Sequence, residues 1–164
     1  MILPQRRLSH AQGYLALGMI AEAARELEQL SGPLADSTPV LVVRVGVLHE
    51  QEKWPEVRDL AREWVRRQPE EPAGWISWAY ATRRADTLEE AENILRQAEV
   101  QHPQEATIQF NLGCYACLRG DLREARRRVD RAIALDVNYD ALAATDPDLA
   151  ALRAMERADC QPQG

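Results

Sequence analysis

The sequence predicts an all-α chain of antiparallel helix pairs repeated in tandem. Three observations carry that expectation. Apolar columns recur every 34 residues. Ala, Leu, Glu and Arg, all strong helix formers, dominate the composition. Glycine and proline fall mostly between the helical stretches. The 164 residues are about the size of one domain, and 46% hydrophobic content is too rich for a disordered chain.

The period comes first, because a missed repeat mis-assigns the whole fold. Ala23, Val57, Ala91 and Ala125 stand 34 residues apart. Ile20, Trp54, Leu88 and Leu122 form a column of large apolar residues; Leu27, Ala61, Leu95 and Val129 form another, and Leu30, Trp64, Ala98 and Ala132 a third. Pro69 and Pro103 keep the spacing and close the second helices of their repeats. The frame gives one domain over 1–164, with repeats at about 4–37, 38–71, 72–105 and 106–139 and a capping helix at 140–158.

Each repeat reads as two helices. The first ends at Ser31-Gly32-Pro33 without the closing proline, which predicts a looser exit. In the second, Pro39 suits a first-turn position, and Ser37 or Thr38 is placed to cap the helix. Val40-Leu41-Val42-Val43 with Val45 and Val47 has strand propensity, but its phase in the repeat assigns a first helix. The third repeat runs from Pro72 to about Arg84, turns near Asp86-Thr87 and resumes from Leu88 to Val100. In the fourth, Phe110, Cys114, Cys117 and Leu118 share one helical face; Gly120-Asp121 breaks the pattern, and Leu122, Ala125, Val129, Ala132 and Ile133 form the second stripe. Asp146-Pro147-Asp148 is a helix start. Leu149, Leu152 and Met155, with Ala151 and Ala158, offer a narrow edge to cover the last repeat, and Gln161 to Gly164 are expected to fray.

These residues resemble the tetratricopeptide repeat (TPR). Trp75 opens the third repeat as that family's Trp does, Leu112-Gly113 stands at the Leu-Gly position of the fourth, and Tyr14 matches the Tyr of the first. Ala91, Leu95, Ala98 and Pro103 carry the second-helix signature, as do Ala125, Val129 and Ala132. The resemblance covers roughly residues 5 to 137, and the Asp-Pro-Asp-Leu stretch is similar to C-terminal ends of bacterial proteins of this repeat class. It implies a right-handed superhelical α-solenoid. The second repeat departs from the pattern: Val57 and Trp64 stand where small Ala is usual, and Ala61 where a large residue is. The bulk has moved one turn along the helix, a volume swap of the kind cores tolerate.

Carried over from the family, the first helices line the concave surface. Its inward residues are then Leu8, Gln12 and Leu15; Val42, Gly46 and His49; Ile76, Tyr80 and Arg83; Phe110, Cys114 and Cys117. Leu8, Val42, Ile76 and Phe110 make an apolar floor, Tyr80 an aromatic anchor, and His49, Arg83 and Arg84 a positive rim. The expectation is a groove for an apolar-anchored peptide with an acidic group near Arg83. The bland alternative buries these side chains against the C-terminal tail or a second copy. Family members that clamp a terminal carboxylate line the groove with Lys and Asn; only Asn111 fits that role here, which argues against such a ligand.

Other features point away from chemistry. Cys114-x-x-Cys117 lacks the strand–helix context of a redox pair and the second pair of ligands that zinc needs. Trp54, Trp64, Trp75 and Trp78 read as core, and Arg126-Arg127-Arg128 with Arg131 as a solvated face. A net charge of −6 argues against nucleic acid. No apolar run of about 18 residues exists to span a membrane. Met1 to His10 lacks the apolar run of a signal peptide, and a cytoplasmic setting is expected. No phosphate-cradling loop, nucleophile elbow or paired-His motif is present. The expectation is a non-catalytic scaffold without cofactor or metal that binds another polypeptide, as an adaptor or chaperone-like module; the alternative is a self-associating homo-oligomer.

Overall fold

The computed structural model of the chain describes residues 3–159. Cys160 and the Gln161 to Gly164 tail lie outside the described residues. Among those described, ten α-helices follow one another and no strand forms. They are α1 (Pro4–Ala16), α2 (Ile20–Glu28), α3 (Thr38–Glu50), α4 (Trp54–Arg67), α5 (Pro72–Ala85), α6 (Leu88–Gln101), α7 (Ala106–Leu118), α8 (Leu122–Leu135), α9 (Asn138–Thr145) and α10 (Ala150–Asp159). The all-α class read from the sequence is the class observed. The helices pack as two units, residues 1–91 and 92–164, with the division inside α6.

In the first unit the valine-rich segment is helical, and its packing explains why. Val40, Val43 and Val47 join Ala11, Ala23, Leu27 and Leu30 in one core cluster. Leu41 and Val45 join Val57, Trp64 and Ala81 in another. α3 is thus buried on two sides, which calls for apolar residues nearly all round and overrides strand propensity. The swap in α4 also has a partner. A Cβ built at Gly74 would lie 3.3 Å from ring atoms of Trp64, so the indole fills the space a side chain would occupy. Ser37 stands at the N-cap of α3 but its hydroxyl makes no cap bond, contrary to expectation. The exit from the first helix pair runs through Gly32, at φ +72°, into a 3₁₀ turn over Pro33–Asp36. Gly18 and Gly120 take the left-handed conformation in the α1–α2 and α7–α8 turns; the corresponding residue between α3 and α4 is Glu52, at φ +55°.

In the second unit α7 is buried along most of its length. A Cβ at Gly113 would lie 2.9 Å from Cγ2 of Val129 and 3.3 Å from the carbonyl oxygen of Ala125, so α8 approaches at a distance only glycine permits. The expected single capping helix is two helices. Asp146 accepts a hydrogen bond from the Asp148 amide at 2.9 Å and starts a 3₁₀ turn over Pro147–Leu149. Leu149 and Leu152 are buried, whereas Ala151 and Ala158 are exposed and lie off the apolar edge.

Arg128, expected in solvent, is only 6% exposed. It donates to Glu99 and Glu124 at 2.6 Å each and to Gln109 at 2.9 Å, while Gln109 donates to Glu99 at 2.8 Å. Burial works to raise Glu99 and Glu124. The bonds from Arg128, joined by Gln109 at one carboxylate and Arg127 at the other, outweigh it and hold both below the ordinary value of 4.5. The network ties α6, α7 and α8 together through groups that need one another, since a buried charge without its partner is costly.

Three outcomes are expected. Gly113→Ala should cost about 1–3 kcal/mol in urea denaturation, despite its better helix propensity, because Val129 and a backbone carbonyl must move. Glu52→Gly should stabilise by up to about 1 kcal/mol, by relieving the left-handed penalty less the flexibility glycine adds to the unfolded chain. Because Glu99 and Glu124 have depressed values in the fold, their contribution is full above the unfolded range and lost as pH falls through the folded values. The urea midpoint should drop between about pH 5 and pH 3, and Arg128→Met should flatten that limb.

Candidate functional site

The first unit presents most of the residues expected to contact a partner. Leu8 on α1, Val42 on α3 and Ile76 on α5 occupy equivalent repeat positions, and each is partly exposed; Gln12 is exposed. Gly46, at the centre of that face on α3, is overlain by Leu15, whose Cδ2 would lie 2.7 Å from an added Cβ. Leu15 therefore packs across to α3 and holds α1 beside it.

An aromatic cluster stands at the C-terminal ends of α3 and α5. His49 meets Trp54 edge-on at a centroid distance of 5.2 Å and Tyr80 at 5.5 Å, and Trp54 meets Tyr80 edge-on at 5.5 Å. The three rings come from α3, the first position of α4, and α5. The Arg84 guanidinium lies 5.3 Å from the Trp54 ring centroid and 6.0 Å from that of Tyr80, within cation–π range. Arg83 is partly exposed beside it.

Sequence reasoning named His49, Tyr80 and the two arginines but placed Trp54 in the core with the other three indoles. Trp64 and Trp75 are buried, and Trp75 donates its indole N–H to the Pro69 carbonyl at 2.9 Å. Trp54 and Trp78 are partly exposed. Trp54 could have been found from its position: the first residue of a second helix sits beside the preceding turn, not in the seam between helices.

The residues expected from the fourth repeat lie in the second unit and differ in exposure. Phe110 is 5% exposed. Tyr139 of α9 covers it at a centroid distance of 4.9 Å, and the Tyr139 hydroxyl lies 2.7 Å from that of Thr107. Cys114 and Cys117 are buried and unbridged. The Cys114 sulfur and carboxylate oxygens of Asp146 and Asp148 lie within 4.8 Å of one another. Asn111 is partly exposed. Another cavity missed by sequence reasoning lies between α8, α9 and α10, about 460 Å³, with Val129, Ile133, Leu149 and Leu152 in its wall. The Arg126–Glu156 ion pair stands at its edge at 2.9 Å.

No family model matches the chain, and no curated protein does. Solved structures do. A thermophilic TPR protein of Thermus thermophilus, TTC0263, superposes with a TM-score of 0.69 at 20% identity, over 96% of this chain and 84% of that one. YrrB, described as a TPR protein with an unusual peptide-binding site, gives 0.66 at 18% identity, over 89% and 71%. The first TPR of Spaghetti (RPAP3), bound to an HSP90 peptide, gives 0.61 at 19% identity, over 76% and 94%. Against these structures, and with helix pairs recurring at a 34-residue period, the chain has the tetratricopeptide-repeat fold.

Proposed function

We propose that the protein is an interaction scaffold that holds a peptide segment of a partner on the face formed by α1, α3 and α5, as an adaptor or chaperone-like module. What supports this reading is that Leu8, Val42 and Ile76 are partly exposed at equivalent repeat positions of these helices, and that His49, Trp54 and Tyr80 form a ring cluster at the ends of α3 and α5. Apolar and aromatic side chains presented together suit the core of an interface. The likeness to RPAP3 and YrrB supports the same reading, since one binds an HSP90 peptide and the other is described by its peptide-binding site. Phe110 and Cys114 drop out of the proposed contact set because they are buried, and Gln12 and Arg83 remain on this face; Asn111, partly exposed, belongs to the second unit. The proposal includes a non-catalytic role and a cytoplasmic setting.

Self-association is the second reading. Leu3, Leu17 and Met19 favour it: all three are exposed around the first helix pair.

A displayed random-peptide library panned against the wild type and a folded Ile76→Glu, Tyr80→Glu variant separates the two. Both positions are partly exposed, so the changes should be tolerated. Peptides enriched only on the wild type are the expected result. Equal enrichment on both moves binding off this face. A dimer mass in light scattering that Leu17→Glu, Met19→Glu abolishes, with no enrichment on either protein, establishes self-association instead.

A further inference from the structure

Within the face proposed above, we infer that Arg84 is a pre-oriented receptor for an acidic side chain lying within the partner's peptide, next to an apolar residue that packs on Tyr80. This rests on the peptide-binding reading and assigns the ligand its chemistry.

An exposed arginine ordinarily keeps its side-chain freedom and loses it on binding. Here the Arg84 guanidinium is held over two rings, 5.3 Å from Trp54 and 6.0 Å from Tyr80, so part of that loss has already been met by folding. Within cation–π reach of both rings, the guanidinium keeps N–H groups that can meet a carboxylate in two parallel bonds. The nearest acid in sequence does not neutralise it. Asp86 is taken by Arg58, whose Nη1 donates to both its oxygens at 2.8 and 2.7 Å. The other acid beside the cluster, Glu50, faces His49 at 3.7 Å. Among the described residues Arg84 itself forms no ion pair.

The surroundings set what flanks the acid. Arg83 stands in the same last turn of α5. Tyr80 lies one helical turn before Arg84 and Ile76 one turn before Tyr80, so an apolar surface runs along α5 up to the charge. A segment that alternates apolar and acidic residues fits this order. A basic segment does not, because Arg84 repels it.

The probes are three labelled, acetylated and amidated peptides: leucine alternating with glutamate, with glutamine and with lysine. Blocking both ends removes the terminal charges. Fluorescence anisotropy reads their affinities for the wild type, Arg84→Ala and Arg84→Lys, each shown folded by circular dichroism. The wild type should bind the glutamate peptide at least tenfold tighter than the glutamine peptide, with an advantage that shrinks as salt rises. Arg84→Ala should abolish that advantage while leaving glutamine-peptide affinity within about twofold. Arg84→Lys should restore only part of it, since an ammonium keeps the charge but neither the fork nor the stack. Equal affinity for the glutamate and glutamine peptides overturns the role of Arg84 and leaves the apolar face standing as a binding site. A glutamate advantage that survives Arg84→Ala also overturns it. Preference for the lysine peptide reverses the assigned charge. Binding of none of the three overturns the inference, and the library experiment then decides whether the face binds peptides at all.

Discussion

Close approach between neighbouring helices is the constraint on which this fold depends. A helix of 13 or 14 residues is marginal in water by itself and becomes stable only when its apolar stripe is covered. Coverage requires small residues where the helices meet. Ala23, Ala61 and Ala125 are fully buried at such contacts, and Gly113 brings α8 closer still. Where the second repeat puts Trp64 at one of these positions, Gly74 on the next helix gives back the space. The two residues work as a pair, and the repeat tolerates a large side chain because its neighbour has none.

The 34-residue period made the architecture legible, because each turn interrupts it at the same place and each apolar column lands on the same side of its helix. It even settled α3, whose composition favours strand, since burial on two sides decides its state and propensity does not. Less legible was anything without a counterpart in other repeats. The C-terminal segment occurs once, so no period showed that a separate helix would precede the start at Asp146-Pro147-Asp148 or that Tyr139 would lie over Phe110. Ser37 holds the capping position without the capping bond, because residue type reports preference and not side-chain direction.

The candidate site was half legible for a related reason. Repeat phase gives Leu8, Val42 and Ile76 equivalent positions, and His49 and Tyr80 meet in one ring cluster. Phase carried no information on which of these side chains other segments would cover, so Phe110 was counted as available when it is buried. Arginines were the hardest to place. Arg128 lies in a run that looks solvated, yet it is buried among Glu99, Gln109 and Glu124, which come from 29, 19 and 4 residues away in sequence. Arg84 looks equally ordinary in sequence and is set apart only by the rings beneath it.

Tyr139 has a consequence for how many copies can join. Repeat chains grow into open filaments when the surface at one end fits the surface at the other and the contact can be made again and again. Here part of the last repeat is covered: Tyr139 lies tilted over Phe110, its hydroxyl meets Thr107, and Leu149 and Leu152 are buried. Leu17 and Met19 of the first helix pair are exposed, as are Val137 and Leu142 near the last. An end-to-end contact that needed Phe110, Leu149 or Leu152 would first have to displace Tyr139 and α10, so the C-terminal helices work against that route of propagation.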